Sequence, residues 1–501
     1  MQEQLPPELL DDIFVLLRNS SDLVSLRACS QACSSFRALA EPHLYCHLAL
    51  ASGESFGSLE SFTSPHTRLS PAHTARYLLE RPHIADYVRS LEIDIDGSHL
   101  TERSTAGDEH FAQILLSLTN LERIMLKNDL PGRGHGIFWS EMHTALRSAF
   151  VQTLNFPSIK EVGLQGIRRF PLDILCGLTA LETVSLCGYP GSFTYSAPEL
   201  PSSIGGKGYL KSLTLNYCFH TLEEIIAWLY SSAGPDISQL KYLKVHPVKP
   251  SDYRHLPFIL SLCSRSLEVL ELDPAGQGDL GYTSASVVGR ERNLPWRLLE
   301  NYPLPERPFV SNPSSLSITV DRPTTIPLHS DLLPETISVS MHNPFSLRRL
   351  SSLKHLILHL RITELDQLES YSATFEWTRR VLTEFQGSEA ASNDLTSTTA
   401  PISSNSCQNR VALERLTLNI LFNIAPDLLY IVSWSPLYSS LASLSSSMPS
   451  LEHIDIIATA GEMYNDQDEV GEGEGKIVSM LEEDADLAPL LWKGLVRVSR
   501  K

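Results

Sequence analysis

One six-residue stamp recurs along this chain: an aliphatic residue, two polar ones, a second aliphatic, any residue, and a third aliphatic. It reads VRSLEI at 88–93, LERIML at 121–126, IKEVGL at 159–164, LETVSL at 181–186, LKSLTL at 210–215, LKYLKV at 240–245 and LEVLEL at 267–272, then LKHLIL at 353–358, LERLTL at 413–418 and LEHIDI at 451–456. Its second half alternates aliphatic and variable positions, the period of a strand with one buried face. Steps of 22 to 38 residues separate the first seven copies, which leaves room for one strand and one helix in each unit. Helical fillers are expected at 108–118, 140–154, 221–232, 253–263, 364–385 and 427–444. The expected class is therefore α/β.

This pattern resembles an irregular leucine-rich repeat. The resemblance implies a solenoid over 88–460, with parallel strands inside, helices outside and the aliphatic stamp in the core. The period wanders, and the Asn that usually follows such a strand is mostly absent. A doubly wound α/β sheet is the alternative, which the recurrent stamp disfavours. SLSI at 315–318 and TISV at 336–339 are weaker copies, and insertions are expected near 274–308 and 388–409. Between Glu462 and Asp486 ten acids face one base, Lys476, a balance of −9 within a chain total of −18. Segment 461–501 is expected to be an acidic flexible stretch and a tail, whose Leu490, Leu491, Trp492, Leu495 and Val496 dock back as a last helix or strand.

The N-terminus carries a different pattern. Pro6 and Pro7 stand where a helix start tolerates a missing N–H, and Glu8, Asp11 and Asp12 favour its positive end. Leu9, Leu10, Ile13, Phe14, Leu16 and Leu17 follow at helical spacing, which predicts a helix to about Leu17. Asn19, Ser20, Ser21 and Asp22 break it and cap a second helix bearing Leu23, Leu26 and Cys29. A third piece starts near Ser30, carries Cys33, Phe36, Leu39 and Ala40, and is closed by Pro42. Three such short helices cannot bury a self-sufficient core, so they need a partner.

The order of Leu5, Pro6, Glu8, Leu9, Ile13, Leu17, Leu23, Leu26 and Phe36 resembles the F-box, particularly the form of large fungal families, with Ala32 where a larger aliphatic residue is usual. The resemblance implies a three-helix module over 1–50, followed by a linker and connecting helix over 51–87. It also implies that these nine residues bind a Skp-family adaptor and, through it, a cullin. The chain would then be the target-recognition subunit of a ubiquitin ligase. A repeat scaffold with no ubiquitin role is the alternative.

Composition narrows the classes further. A net charge of −18 disfavours nucleic acid and anionic membranes as partners. No apolar run is long enough for a spanning helix, and the acidic start is neither a signal nor a transit peptide, so cytosol or nucleus is expected. Cys29, Cys33, His43 and His47 come near a zinc-finger spacing, but too few residues intervene and the flanks read helical. Gly276, Gly278 and Gly281 mimic a dinucleotide loop, yet Pro274 precedes them and no good phosphate-binding helix follows. The stretch at 203–208 lacks P-loop spacing, and His355 and His359 sit on a strand pattern rather than a metal-binding helix. No cofactor, no metal and no catalytic residue are expected, so the chain reads as a binding protein and not an enzyme.

Parallel stacking would align the residues that flank each buried leucine. It brings Arg123, Met125 and Lys127 into register with Tyr242, Lys244 and His246, and with His355, His359 and Arg361. This stripe, interrupted by Glu92, Glu271, Asp273 and Asp455, is the candidate surface for an acidic or phosphorylated segment of a target protein.

Overall fold

The computed structural model describes residues 6–20, 22–51, 69–95, 105–128, 136–188, 192–196, 207–218, 221–248, 255–274, 347–362, 377–379, 381–383, 411–422, 434–460, 467–484 and 487–500. The weaker repeats at 315–318 and 336–339, and nearly all of both expected insertions, lie outside them.

Three helices open the chain: α1 (Pro7–Asn19), α2 (Leu23–Ala32) and α3 (Ser34–Leu44). Pro7 stands in the first turn of α1, and the Asp22 carboxylate accepts from Ser25 N at 3.0 Å to cap α2. Helix α3 begins later than its sequence suggests, because Cys33 is extended and ends α2. Nor does Pro42 close α3. It lies within the last turn, and Tyr45 N still bonds to Glu41 O at 3.0 Å.

Sixteen strands follow among the described residues: β1 (His47–Ala51), β2 (Ser90–Asp94), β3 (Arg123–Lys127), β4 (Ile137–Phe138), β5 (Glu161–Gln165), β6 (Ile167–Arg168), β7 (Phe170–Pro171), β8 (Thr183–Cys187), β9 (Phe193–Thr194), β10 (Ser212–Asn216), β11 (Tyr242–Val248), β12 (Val269–Pro274), β13 (His355–Ile362), β14 (Arg415–Phe422), β15 (His453–Ala460) and β16 (Val496–Arg500). Twelve of them form one sheet in the order β1-β2-β3-β5-β8-β10-β11-β12-β13-β14-β15-β16, and β4-β6 and β7-β9 are two-residue pairs beside it. Every pairing is parallel, and the order in space follows the order in the chain. A doubly wound sheet reverses its strand order at a switch point, and this one does not.

The stamp sets which way each strand faces. Leu213 and Leu215, Leu270 and Leu272, and Leu356 and Leu358 are wholly buried, while Ser212, Thr214, His355 and Ile357 alternate with them and are only half-buried. Helices cover the leucine side. The helices Thr105–Ser117 and Thr144–Leu154 touch where Thr153 Oγ1 donates to Leu115 O at 3.4 Å, and Trp139 meets Phe150 of the second helix and Phe170 edge to face. The helix Leu222–Tyr230 buries Ile225 and Trp228, and the helix Ser435–Ser447 buries Leu437, Leu441 and Leu444. One apolar core runs the length of the sheet, and the three-helix module has its own, built on Phe14, Leu26 and Ala40.

Two segments differ from their sequence reading. The end of the expected 1–50 module and the first residue of the expected linker form the first strand of the sheet, His47–Ala51, with Leu48 and Leu50 buried against Leu91 and Ile93. The acidic stretch read as flexible contains the helix Gln467–Glu483, which buries Ile477 and Leu481 one turn apart. After it, Leu490 is buried and β16 pairs with β15, so the tail joins the sheet. Among the described residues no helix is long and apolar enough to cross a membrane.

Candidate functional site

Helix α1 carries two apolar stripes. Phe14, Leu10 and Leu17 turn inward, with Phe14 packed edge to face on Phe36 of α3 at 6.2 Å between ring centroids. Leu9, Ile13 and Leu16 follow the i, i+4, i+7 spacing of a second face and stand 50%, 42% and 67% exposed, with Val24 of α2 also exposed. His43 Nε2 lies 2.8 Å from Asp11 Oδ1 and ties α3 to the polar side of α1. The fold therefore leaves uncovered an apolar face on a module whose own core, among the described residues, is built on three buried apolar side chains.

Residues 2–51 match the F-box-like family. The N-terminal module is an F-box-like domain. F-box domains generally bind Skp-type adaptors and serve ubiquitin ligases as adaptor subunits. No curated protein matches the chain.

On this F-box-like domain the nine expected contact residues divide. Pro6, Glu8, Leu9 and Ile13 are exposed, Leu17, Leu23 and Phe36 are half-buried, and Leu5 lies outside the described residues. Leu26 is wholly buried between the helices, so its side chain builds the domain and cannot also touch an adaptor. Leu16 and Val24 were not among the nine, and the spacing of Leu16 from Leu9 was the signal for it. The Cys and His spacing noted above is taken up otherwise: His43 goes to Asp11, and His47 Nδ1 lies 3.0 Å from Ser90 Oγ.

The second candidate surface is the exposed face of the sheet. Arg123, Met125, Lys127, Tyr242, Lys244, His246, His355, His359 and Arg361 all lie on it, as parallel register requires. They do not form a bare cationic stripe. Because strands pair in register, each cation meets a carboxylate of a neighbouring strand: Arg123 with Glu161 at 3.1 Å, Lys127 with Glu92 at 3.0 Å, Lys244 with Glu271 at 2.7 Å and Arg361 with Asp273 at 2.8 Å. Met125 instead covers Gly163, where a Cβ would fall 2.6 Å from the Met125 Cε. His355 Nε2 lies 2.8 Å from Thr417 Oγ1, beside the pair Arg415 and Asp455.

The charges converge on Glu271, whose side chain is 9% exposed. The β11–β12 ladder loses register between Val245 and Val248, and Pro247 there has no N–H to continue it. Beside this shift, His246 Nε2 lies 3.3 Å from Glu271 Oε1 and His246 Nδ1 lies 3.7 Å from Asp273 Oδ2. His359 Nε2 reaches the same Oε1 at 2.8 Å, and Tyr242 donates its hydroxyl to Oε2. Burial pushes the Glu271 carboxyl up, but the four polar groups gathered on it outweigh burial and hold it far below the usual carboxylate range. Burial dominates at His246 and lowers its pKa, against the pull of Glu271 and Asp273. Burial, with the hydrogen bond to Glu271, raises Tyr242.

Proposed function

We propose that the chain is the target-recognition subunit of a Skp-cullin-F-box ubiquitin ligase, acting as a binding protein and not as an enzyme. The F-box-like domain docks on a Skp-type adaptor, and the adaptor joins it to a cullin. The observation that carries this reading is the exposed face of Leu9, Ile13 and Leu16 on a domain of that family. An apolar helix face left in water on so small a core calls for a partner surface, and burying it there supplies about 25 cal/mol for each Å².

The sheet supplies the receptor, which we read as an irregular leucine-rich-repeat solenoid. Sequential parallel strands with one buried face support that reading. So does Cys218, the ninth residue of LKSLTLNYC, where such repeats place Asn or Cys after the strand. Its thiol is buried and donates to Leu186 O of the preceding strand at 3.3 Å. The exposed face then holds the target, in the cytosol or nucleus, through paired charges and apolar spots such as Met125.

Proximity labelling with and without proteasome inhibition tests this, comparing wild type with a Leu9→Asp/Ile13→Asp variant. The target should be labelled by both chains, and only the wild type should raise its ubiquitinated form. Identical labelling, with no cullin and no ubiquitinated species in either, would make the chain a scaffold.

A further inference from the structure

We propose that His246, Glu271 and His359 form a binding site for a divalent transition-metal ion of the zinc class on the exposed face of the sheet. This inference concerns a ligand of the sheet itself and does not rest on the ligase reading. Each residue offers one donor atom, and these atoms all lie within 4.8 Å of one another. Two imidazole nitrogens and one carboxylate oxygen make the three-ligand set that zinc uses when it keeps a fourth position open. A tetrahedral ion with bonds of 2.0–2.2 Å holds its ligand atoms about 3.3–3.6 Å apart. His246 Nε2 and His359 Nε2 lie 3.3 and 2.8 Å from Glu271 Oε1, so small side-chain adjustments suffice.

A second observation is independent of that spacing. His246 Nε2 is buried, and its 3.3 Å approach to Glu271 Oε1 does not meet hydrogen-bond geometry. A buried polar atom without a partner is costly, and a metal ion on Nε2 supplies the partner. The other nitrogen of this ring faces Asp273, which Arg361 holds in place at 2.8 Å. A carboxylate behind a ligating imidazole fixes which nitrogen faces the ion. The three ligands come from β11, β12 and β13, neighbours in one hydrogen-bonded sheet, so they are held by backbone ladders rather than by a loop.

Lys244 is the competitor. Its Nζ lies 2.7 Å from the same Glu271 Oε1, and its side chain is 26% exposed at the end of a long flexible stem. An ion that takes over the carboxylate displaces the ammonium into solvent, so lysine and metal exclude each other.

The experiment is a titration of the full chain, first stripped with a chelator, with Co²⁺ read by its visible absorption and then displaced by Zn²⁺. Wild type should show the bands of a low-coordinate site with nitrogen and oxygen donors. His246→Ala and His359→Ala should each weaken Co²⁺ by at least about 100-fold, more than the loss of an outer partner does. Lys244→Met should tighten it several-fold, and His355→Ala, on the same face but outside the cluster, should leave it unchanged. Equal affinity in wild type and the His246→Ala/His359→Ala double variant would overturn the assignment. So would a sulfur-to-metal charge-transfer band, which would place the ion on cysteines, or the absence of binding by folded wild type. Should a histidine variant fail to fold, Lys244→Met decides alone, since unchanged affinity there contradicts a site on Glu271.

Discussion

His359 Nε2 lies 2.8 Å from Glu271 Oε1 and joins side chains 88 residues apart in the chain. Glu271 of β12 also receives Lys244 and Tyr242 of β11, so it ties together three neighbouring strands. Removing it takes the shared acceptor away from the half-buried Tyr242 and His359. Glu271→Ala should lower unfolding free energy by about 3 kcal/mol in denaturant titrations. Glu122→Ala, which breaks the exposed 2.9 Å pair with Lys160, should cost no more than about 1 kcal/mol.

The strand phase makes a second prediction. Leu213 and Leu270 are wholly buried, whereas Thr214 is half-buried on the opposite face. Leu213→Ala or Leu270→Ala should each cost about 2–5 kcal/mol, and Thr214→Ala should stay within about 0.5 kcal/mol of wild type. Equal losses on both faces, measured by thermal or chemical unfolding, would contradict the assigned phase.

Much of this fold was legible because the stamp encodes it twice, in the period of two within each strand and in the spacing between strands. β1 was not, since HLALA at 47–51 alternates but lacks the leading leucine of the stamp and is followed by Ser and Gly. The helix Gln467–Glu483 was obscured by three glycines, whose poor helix propensity is offset by burying Ile477 and Leu481. On the F-box-like domain the residue types were readable, but their sides were not: Leu26 and Leu9 look alike in sequence, and only packing sends one inward. The Glu271 cluster was the least legible, because Glu271 pairs in register with Ile357 and His359 reaches it diagonally from two residues further along β13. A sequence pattern shows that cations and acids share a face, but not that they neutralise one another there.

A pH dependence follows from His355. Burial, and then the nearby Arg415, hold its imidazole below the ordinary value of 6.5, while Asp455 and Glu271 oppose them. The unfolded chain therefore binds more protons at this residue than the folded chain as the pH falls through 6.5. The stability that His355 contributes is present above that pH and is lost on acidification towards the folded value. Wild type should lose more stability than His355→Gln between pH 7 and about 5.5. Parallel curves for the two would show that this imidazole does not titrate differently in the two states.

The exposed stripe of α1 is the face proposed to dock the F-box-like domain on a Skp-type adaptor, and co-purification of full-length chains measures that docking directly. Leu9→Asp/Ile13→Asp changes side chains that are 50% and 42% exposed, so folding should survive. Leu26→Ala serves as the contrast, because its side chain is wholly buried and its loss should destabilise the domain by about 2–5 kcal/mol. Wild type should retain adaptor and cullin, and the double Asp variant, folded by circular dichroism, should lose both. Undiminished adaptor binding by the folded double variant would contradict docking through this face.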